Sequence, residues 1–155
     1  MRGVLSVLFI GLLFSCAKNV STNSIYDVGP WKVIEMTKGS KAITIKLKNT
    51  LDSPLNIHNP MDKKVKFKSE NEWESVSIRY CECGASCPPP PEVILVEPQG
   101  IFTFSWDMQV EECKDENGRM STAKSKAAEG QYLLTYYYSP VGTRGRELME
   151  IPFEL

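Results

Sequence analysis

Five cysteines, at positions 16, 81, 83, 87 and 113, are the side chains best able to do chemistry in this 155-residue chain. Three of them fall in YCECGASCPPPPE, residues 80–92, and run straight into four prolines. Sulfur at that density can bind zinc or cuprous copper, cycle as a redox pair, or staple a loop. Structural zinc sites usually take ligands in pairs from two separate knuckles. Here Cys81, Cys83 and Cys87 crowd into seven residues while Cys113 stands alone. No C-x-x-C is present, so a thiol redox centre lacks its usual frame. His58 and Met61, in HNPM, resemble a copper pair only in composition; a lone histidine beside a proline turn reads as a loop residue. The reading is therefore a disulfide-pinned loop with no metal and no cofactor. A cysteine-based zinc or copper site is kept as a further alternative.

The N-terminus bears on which sulfur chemistry is possible. MRGVLSVLFIGLLFSC places Arg2 before an apolar run from Val4 to Phe14, the layout of a secretory signal peptide. The run is about half the roughly 20 residues needed to span a bilayer. Leu13-Phe14-Ser15-Cys16 resembles the bacterial lipoprotein cleavage box over the first 16 residues, with Phe14 bulkier than the usual residue there. The resemblance implies cleavage before Cys16, lipidation of that cysteine, and a membrane held through two or more acyl chains. Ala17 rather than Asp follows Cys16, so an inner-membrane retention signal is missing and the outer membrane of a bacterial envelope is implied. The expected organisation is a signal peptide over 1–15, a lipidated, polar tether over 16–29, and one domain over 30–155. Loss of Arg2 leaves 17 basic against 19 acidic residues, which suggests no nucleic acid partner.

An exported domain meets an oxidising space, where an even set of cysteines persists as disulfides. Cys81, Cys83, Cys87 and Cys113 allow three pairings. A Cys81–Cys83 bridge closes a strained ring and comes last. Cys83–Cys87 with Cys81–Cys113 is placed first, because Gly84-Ala85-Ser86 is a small, flexible turn. Cys81–Cys87 with Cys83–Cys113 follows closely. Pro88, Pro89, Pro90 and Pro91 then impose an extended polyproline geometry. Gly84, Ala85, Ser86 and the four prolines form the candidate contact loop, although the prolines also serve as a plain spacer.

The elements that must position this loop read as strands. KAITIKLKN alternates Ile43, Ile45 and Leu47 with Thr44, Lys46 and Lys48. IFTFSWD sets Phe102, Phe104 and Trp106 on one face, and QYLLTYYYS with LMEIPFEL forms the final pair. Turn signals every 8–12 residues predict an all-β, antiparallel sandwich of about 7–9 strands. Trp73 to Tyr80 is expected to be one strand. A helix is allowed only over 111–129, best at AKSKAAE. Gly130 to Leu134 resembles the tyrosine-corner entry of immunoglobulin-like and fibronectin type III domains, which implies that Tyr132 bonds nearby backbone. Tyr132, Tyr136 and Tyr138 read as a core face rather than a sugar-stacking platform.

Enzyme chemistry is poorly supplied. A serine triad would rest on His58 alone, and no G-x-S-x-G occurs. Glu111, Glu112, Asp115 and Glu116 read as a solvated loop run. The expected function is a non-enzymatic binding or accessory module whose loops contact an envelope protein or glycan. The layout also resembles the intracellular proteinase inhibitor domain family, through Asn49 to Leu55 (N-x-x-x-x-P-L) and the EPQG turn before a strand ending in Trp106. That resemblance implies, as the alternative, an inhibitor presenting a rigid loop to a protease.

Overall fold

The structure, a computed structural model, describes residues 20–21, 26–62 and 64–155. The expected signal peptide and the lipidated Cys16 lie outside the described residues. The chain folds into strands β1 (Val20–Ser21), β2 (Tyr26–Val28), β3 (Trp31–Lys38), β4 (Ile43–Asn49), β5 (Leu55–His58), β6 (Lys64–Ser69) and β7 (Glu72–Ser75). After the cysteine loop come β8 (Val93–Val96), β9 (Ile101–Trp106), β10 (Gln109–Glu116), β11 (Arg119–Lys126), β12 (Gln131–Pro140) and β13 (Glu147–Glu154).

Every pairing is antiparallel, as the alternation predicts. One sheet runs β3-β4-β9, with β1 and β2 along the outer side of β3. In the other, β12 is the spine: β13 lines one side, and β5 and β6 share the opposite side end to end. β8 and β7 then extend β5 and β6 outward. β10 and β11 form a separate hairpin.

The two sheets bury one core between them. Ile43, Ile45 and Leu47 of β4 and Phe102, Phe104 and Trp106 of β9 face Tyr132, Leu134, Tyr136 and Tyr138 of β12. Aromatic rings interlock across the layers, edge to face: Phe102 with Tyr136 at 5.4 Å and Trp106 with Tyr132 at 5.5 Å. Such pairs favour the offset geometry that ring quadrupoles prefer. Trp31 Nε1 is buried with no acceptor among the described residues; its indole stands at 87° to the Tyr138 ring. Tyr132 Oη donates to the carbonyl of Ala128 at 2.6 Å, so the corner geometry is present. Tyr132, Tyr136 and Tyr138 are all buried, which leaves them no role as an exposed stacking surface.

Four expectations change. Strands outnumber the 7–9 expected, because short β1 and β2 line β3 and because 109–126 is a hairpin. Tyr26–Val28, within the stretch read as tether, pairs with Val33, Lys32 and Trp31, and Tyr26 Oη donates to the carbonyl of Pro152. No helix forms over 111–129: Asn117 and Gly118 both take positive φ, 59° and 80°, the two-residue turn that matches strand twist. This turn chemistry overrides the helix propensity of Ala, Lys and Glu in β11. The strand expected over 73–80 stops at Ser75, where the chain leaves β6 for the hairpin.

Candidate functional site

The cysteine loop is built onto the β10–β11 hairpin rung by rung. Register sets Glu111 opposite Lys124 and Cys113 opposite Thr122. The chain leaving β7 docks beside this hairpin: Glu111 N donates to the carbonyl of Ser77 at 2.8 Å, and Ser77 Oγ donates to the carbonyl of Glu111 at 2.6 Å. Arg79 N donates to Glu111 Oε2 at 2.9 Å, while Lys124 Nζ pairs with Oε1 at 2.8 Å. Glu111 is only 8% exposed, so its carboxylate is matched by a cation and a backbone amide rather than left uncompensated. The Glu111 carboxylate, first by hydrogen bond and then by charge, raises the Lys124 pKa above its ordinary value.

One turn further, Cys83 is fixed twice by a single rung. Its amide donates to Thr122 Oγ1 at 2.7 Å, and its sulfur meets that of Cys113, with Cα atoms 5.6 Å apart. Cys81 and Cys87 pair with Cα atoms 6.4 Å apart and close a six-residue separation. The pairing placed first from sequence is thus replaced by the second. The reason lies in the hairpin: Thr122 and Cys113 face Cys83 together, whereas the Cys81 and Cys87 sulfurs meet each other. Gly84 carries φ +77°, and a Cβ there would lie 3.0 Å from Met120 Cβ, so the chain turns tightly against β11.

Past this anchor Ala85 N donates to the Glu82 carbonyl at 3.2 Å, and the loop turns out into solvent. Gly84, Ala85 and Ser86 are exposed, as are Pro88, Pro89, Pro90 and Pro91. The prolines lead to Glu92, whose carbonyl accepts from Asn59 N at 2.7 Å and opens β8. The expected contact loop is therefore held at both ends, by two cysteine pairs on one side and by β5 on the other. Among the described residues no three His, Cys, Asp or Glu side chains converge as a metal set.

The sequence reading of the acidic run also needs correction. Glu111, Glu112, Asp115 and Glu116 are on β10, not in a loop, and Glu111 organises the site. Thr122 and Lys124 were overlooked altogether. The signal was available in Asn117-Gly118: counting outward from that turn places Thr122 against Cys113 and Lys124 against Glu111.

His58 and Ser139 are brought together, with His58 Nε2 2.9 Å from Ser139 Oγ. Ser139 is buried and no carboxylate among the described residues hydrogen-bonds His58, so this pair lacks the third member that orients a catalytic base. Burial, and secondarily the Arg146 charge, lowers the His58 pKa. The surface also carries open clefts. One of about 440 Å³ lies between β6 and 75–79, with Lys64, Lys66, Arg79 and Asp62 at its rim. Another, about 310 Å³, sets exposed Trp73 beside Pro152 and Phe153.

Comparison with family models, curated proteins and solved structures finds no match to this chain.

Proposed function

We propose that the protein is a non-enzymatic binding module that presents residues 84–91 to a macromolecular partner at a bacterial cell envelope, to which Cys16 tethers it by lipid. The observation carrying this reading is the loop itself: exposed along its whole length, yet fixed at Cys83, at the Cys81–Cys87 pair and at Glu92. A segment already held in one shape gives up little conformational entropy on binding, and polyproline stretches are preformed for recognition. Outside such a role, so short and rigid a rod needs neither two cysteine pairs nor a buried glutamate paired to Lys124 beneath it.

The test places a photo-crosslinking residue at Ala85 or Pro90 in the native envelope, with Thr103 on β9 as the control. Both loop positions should capture the same partner, and Thr103 should not. Cys81→Ser/Cys87→Ser should weaken capture without unfolding the sandwich. Equal labelling at Thr103, or no adduct at either loop position, would overturn the reading.

A further inference from the structure

β8, like β9, is a sheet margin that carries neither charge nor proline within its span. It ends its sheet, pairing with β5 on one side and with nothing among the described residues on the other. Its sequence is Val93-Ile94-Leu95-Val96, wholly apolar. Exposed sheet edges normally carry charge or proline that discourages another strand from adding. β13 does so with Pro152 and with Glu147, Glu150 and Glu154, and β7 with Glu72 and Glu74. β8 carries no such guard within its span.

The direction of its free hydrogen-bonding groups follows from the ladder. Asn59 N donates to the Glu92 carbonyl, and bonded pairs alternate along an antiparallel ladder. Glu92, Ile94 and Val96 therefore direct their amides and carbonyls to β5. Val93 and Leu95 direct theirs away from the sheet. Their side chains stay partly in water, at 40% and 51% exposure. Val93 also closes a row set by register, Leu148–Tyr137–His58–Val93, across four strands. A strand added beyond β8 would continue this row and rest its outward side chains on Val93 and Leu95.

We propose that β8 is a strand-addition site for an extended segment of a partner protein, apolar at alternate positions and flanked by basic residues five positions apart. Charge selects this occupant. Glu92 and Glu97 bracket the edge, both exposed and neither in an ion pair among the described residues. A second copy of this chain fits worse. In the centred two-fold register, Val93 of one copy faces Leu95 of the other. Glu97 then meets Pro91 of the second copy, which has no N–H to give, beside that copy's Glu92. Like charges at such a position oppose pairing, and lysine or arginine there favours it. The site is separate from the 84–91 loop and does not depend on it.

The probe is the peptide acetyl-Lys-Thr-Val-Thr-Val-Lys-amide, titrated against the full-length, isotope-labelled protein with amide exchange read residue by residue. Binding should slow exchange at Val93 and Leu95 by at least about tenfold, and at Ile94 and Val96 by less, since those already bond β5. A peptide with glutamates replacing both lysines should bind at least about fivefold more weakly. Leu95→Pro removes an outward N–H that β5 does not use, and should abolish binding while the Tyr132 and Phe104 core signals persist. Glu92→Lys/Glu97→Lys should invert the preference between the two peptides, and serves if the proline variant loses its fold. Equal binding of both peptides to the unaltered chain overturns the proposal. So does concentration-dependent protection of Val93 and Leu95 without peptide, accompanied by a doubled mass, which would make a second copy the occupant.

Discussion

The side-chain amide of Asn49, fully buried at the end of β4, donates to the carbonyl of Val96, 47 positions later, at 3.3 Å. The same Nδ2 reaches the carbonyls of Ser53 at 2.9 Å and Glu97 at 3.2 Å, and Oδ1 accepts from Leu51 N at 3.0 Å. One residue thus ties the turn leaving one sheet to the strand entering it from the other side. Replacing Asn49 with Ala takes the side-chain partner from one buried carbonyl, Val96, and from three part-buried backbone groups. The expected loss is about 2–4 kcal/mol in a urea titration, and Asn49→Asp should not restore it, because a carboxylate cannot donate to carbonyls.

The two cysteine pairs should contribute unequally. Cys83–Cys113 spans 30 positions and Cys81–Cys87 only six. By loop-closure entropy the long link stabilises by about 3–4 kcal/mol and the short one by about 2 kcal/mol. Cys113→Ala with Cys83→Ala should therefore lower the urea midpoint more than Cys81→Ala with Cys87→Ala. Digestion without reductant, read by mass spectrometry, should recover a peptide linking 83 to 113. A peptide linking 81 to 113 would contradict the structure.

Phe104 is 2% exposed and packs near Tyr136, so Phe104→Ala opens a cavity between the sheets. The expected loss is about 3–5 kcal/mol. Ile101, on the opposite face of the same strand and more than half exposed, is the control. Ile101→Ala should stay within about 0.5 kcal/mol of the unaltered protein.

His58 predicts a pH dependence. Its folded pKa is lowered from the ordinary 6.5, first by burial and then by Arg146. Between that lowered value and 6.5 the unfolded chain binds more protons than the folded one, so stability is full above about 6.5 and declines as pH falls through this window. Glu35 is lowered from 4.5 chiefly by its hydrogen bond from Lys46, and its contribution fades only in more acidic solution. Urea midpoints measured from pH 7.5 to 5 should fall, and His58→Gln should flatten that slope.

How far the sequence foretold this depends on which force shapes each part. β4 and β9 were legible because alternation is imposed by burial, and burial leaves its period in the residues. Tyr132 was legible through a local pattern, Gly130-Gln131-Tyr132-Leu133-Leu134. The β10–β11 hairpin was hidden because its composition favours a helix, and only the Asn117-Gly118 turn argues otherwise. The cysteine pairing turned on that same hairpin: Cys83 and Cys81 are both close enough to Cys87 along the chain, and only the Cys113–Thr122 rung separates them. Glu111 looked like one member of an acidic run, since burial of a single carboxylate leaves no mark on its neighbours.

The central place of β12 has a consequence for how the chain is made. β3, β4 and β9 are all present once Trp106 has been synthesised. β5, β6, β7 and β8 must wait for a spine that begins only at Gln131. Some 65 positions of chain separate β6 from the strand that will hold it. During that interval half of the future core has a covering layer with nothing to bind it together. A chain cut short anywhere before position 131 would keep that condition permanently.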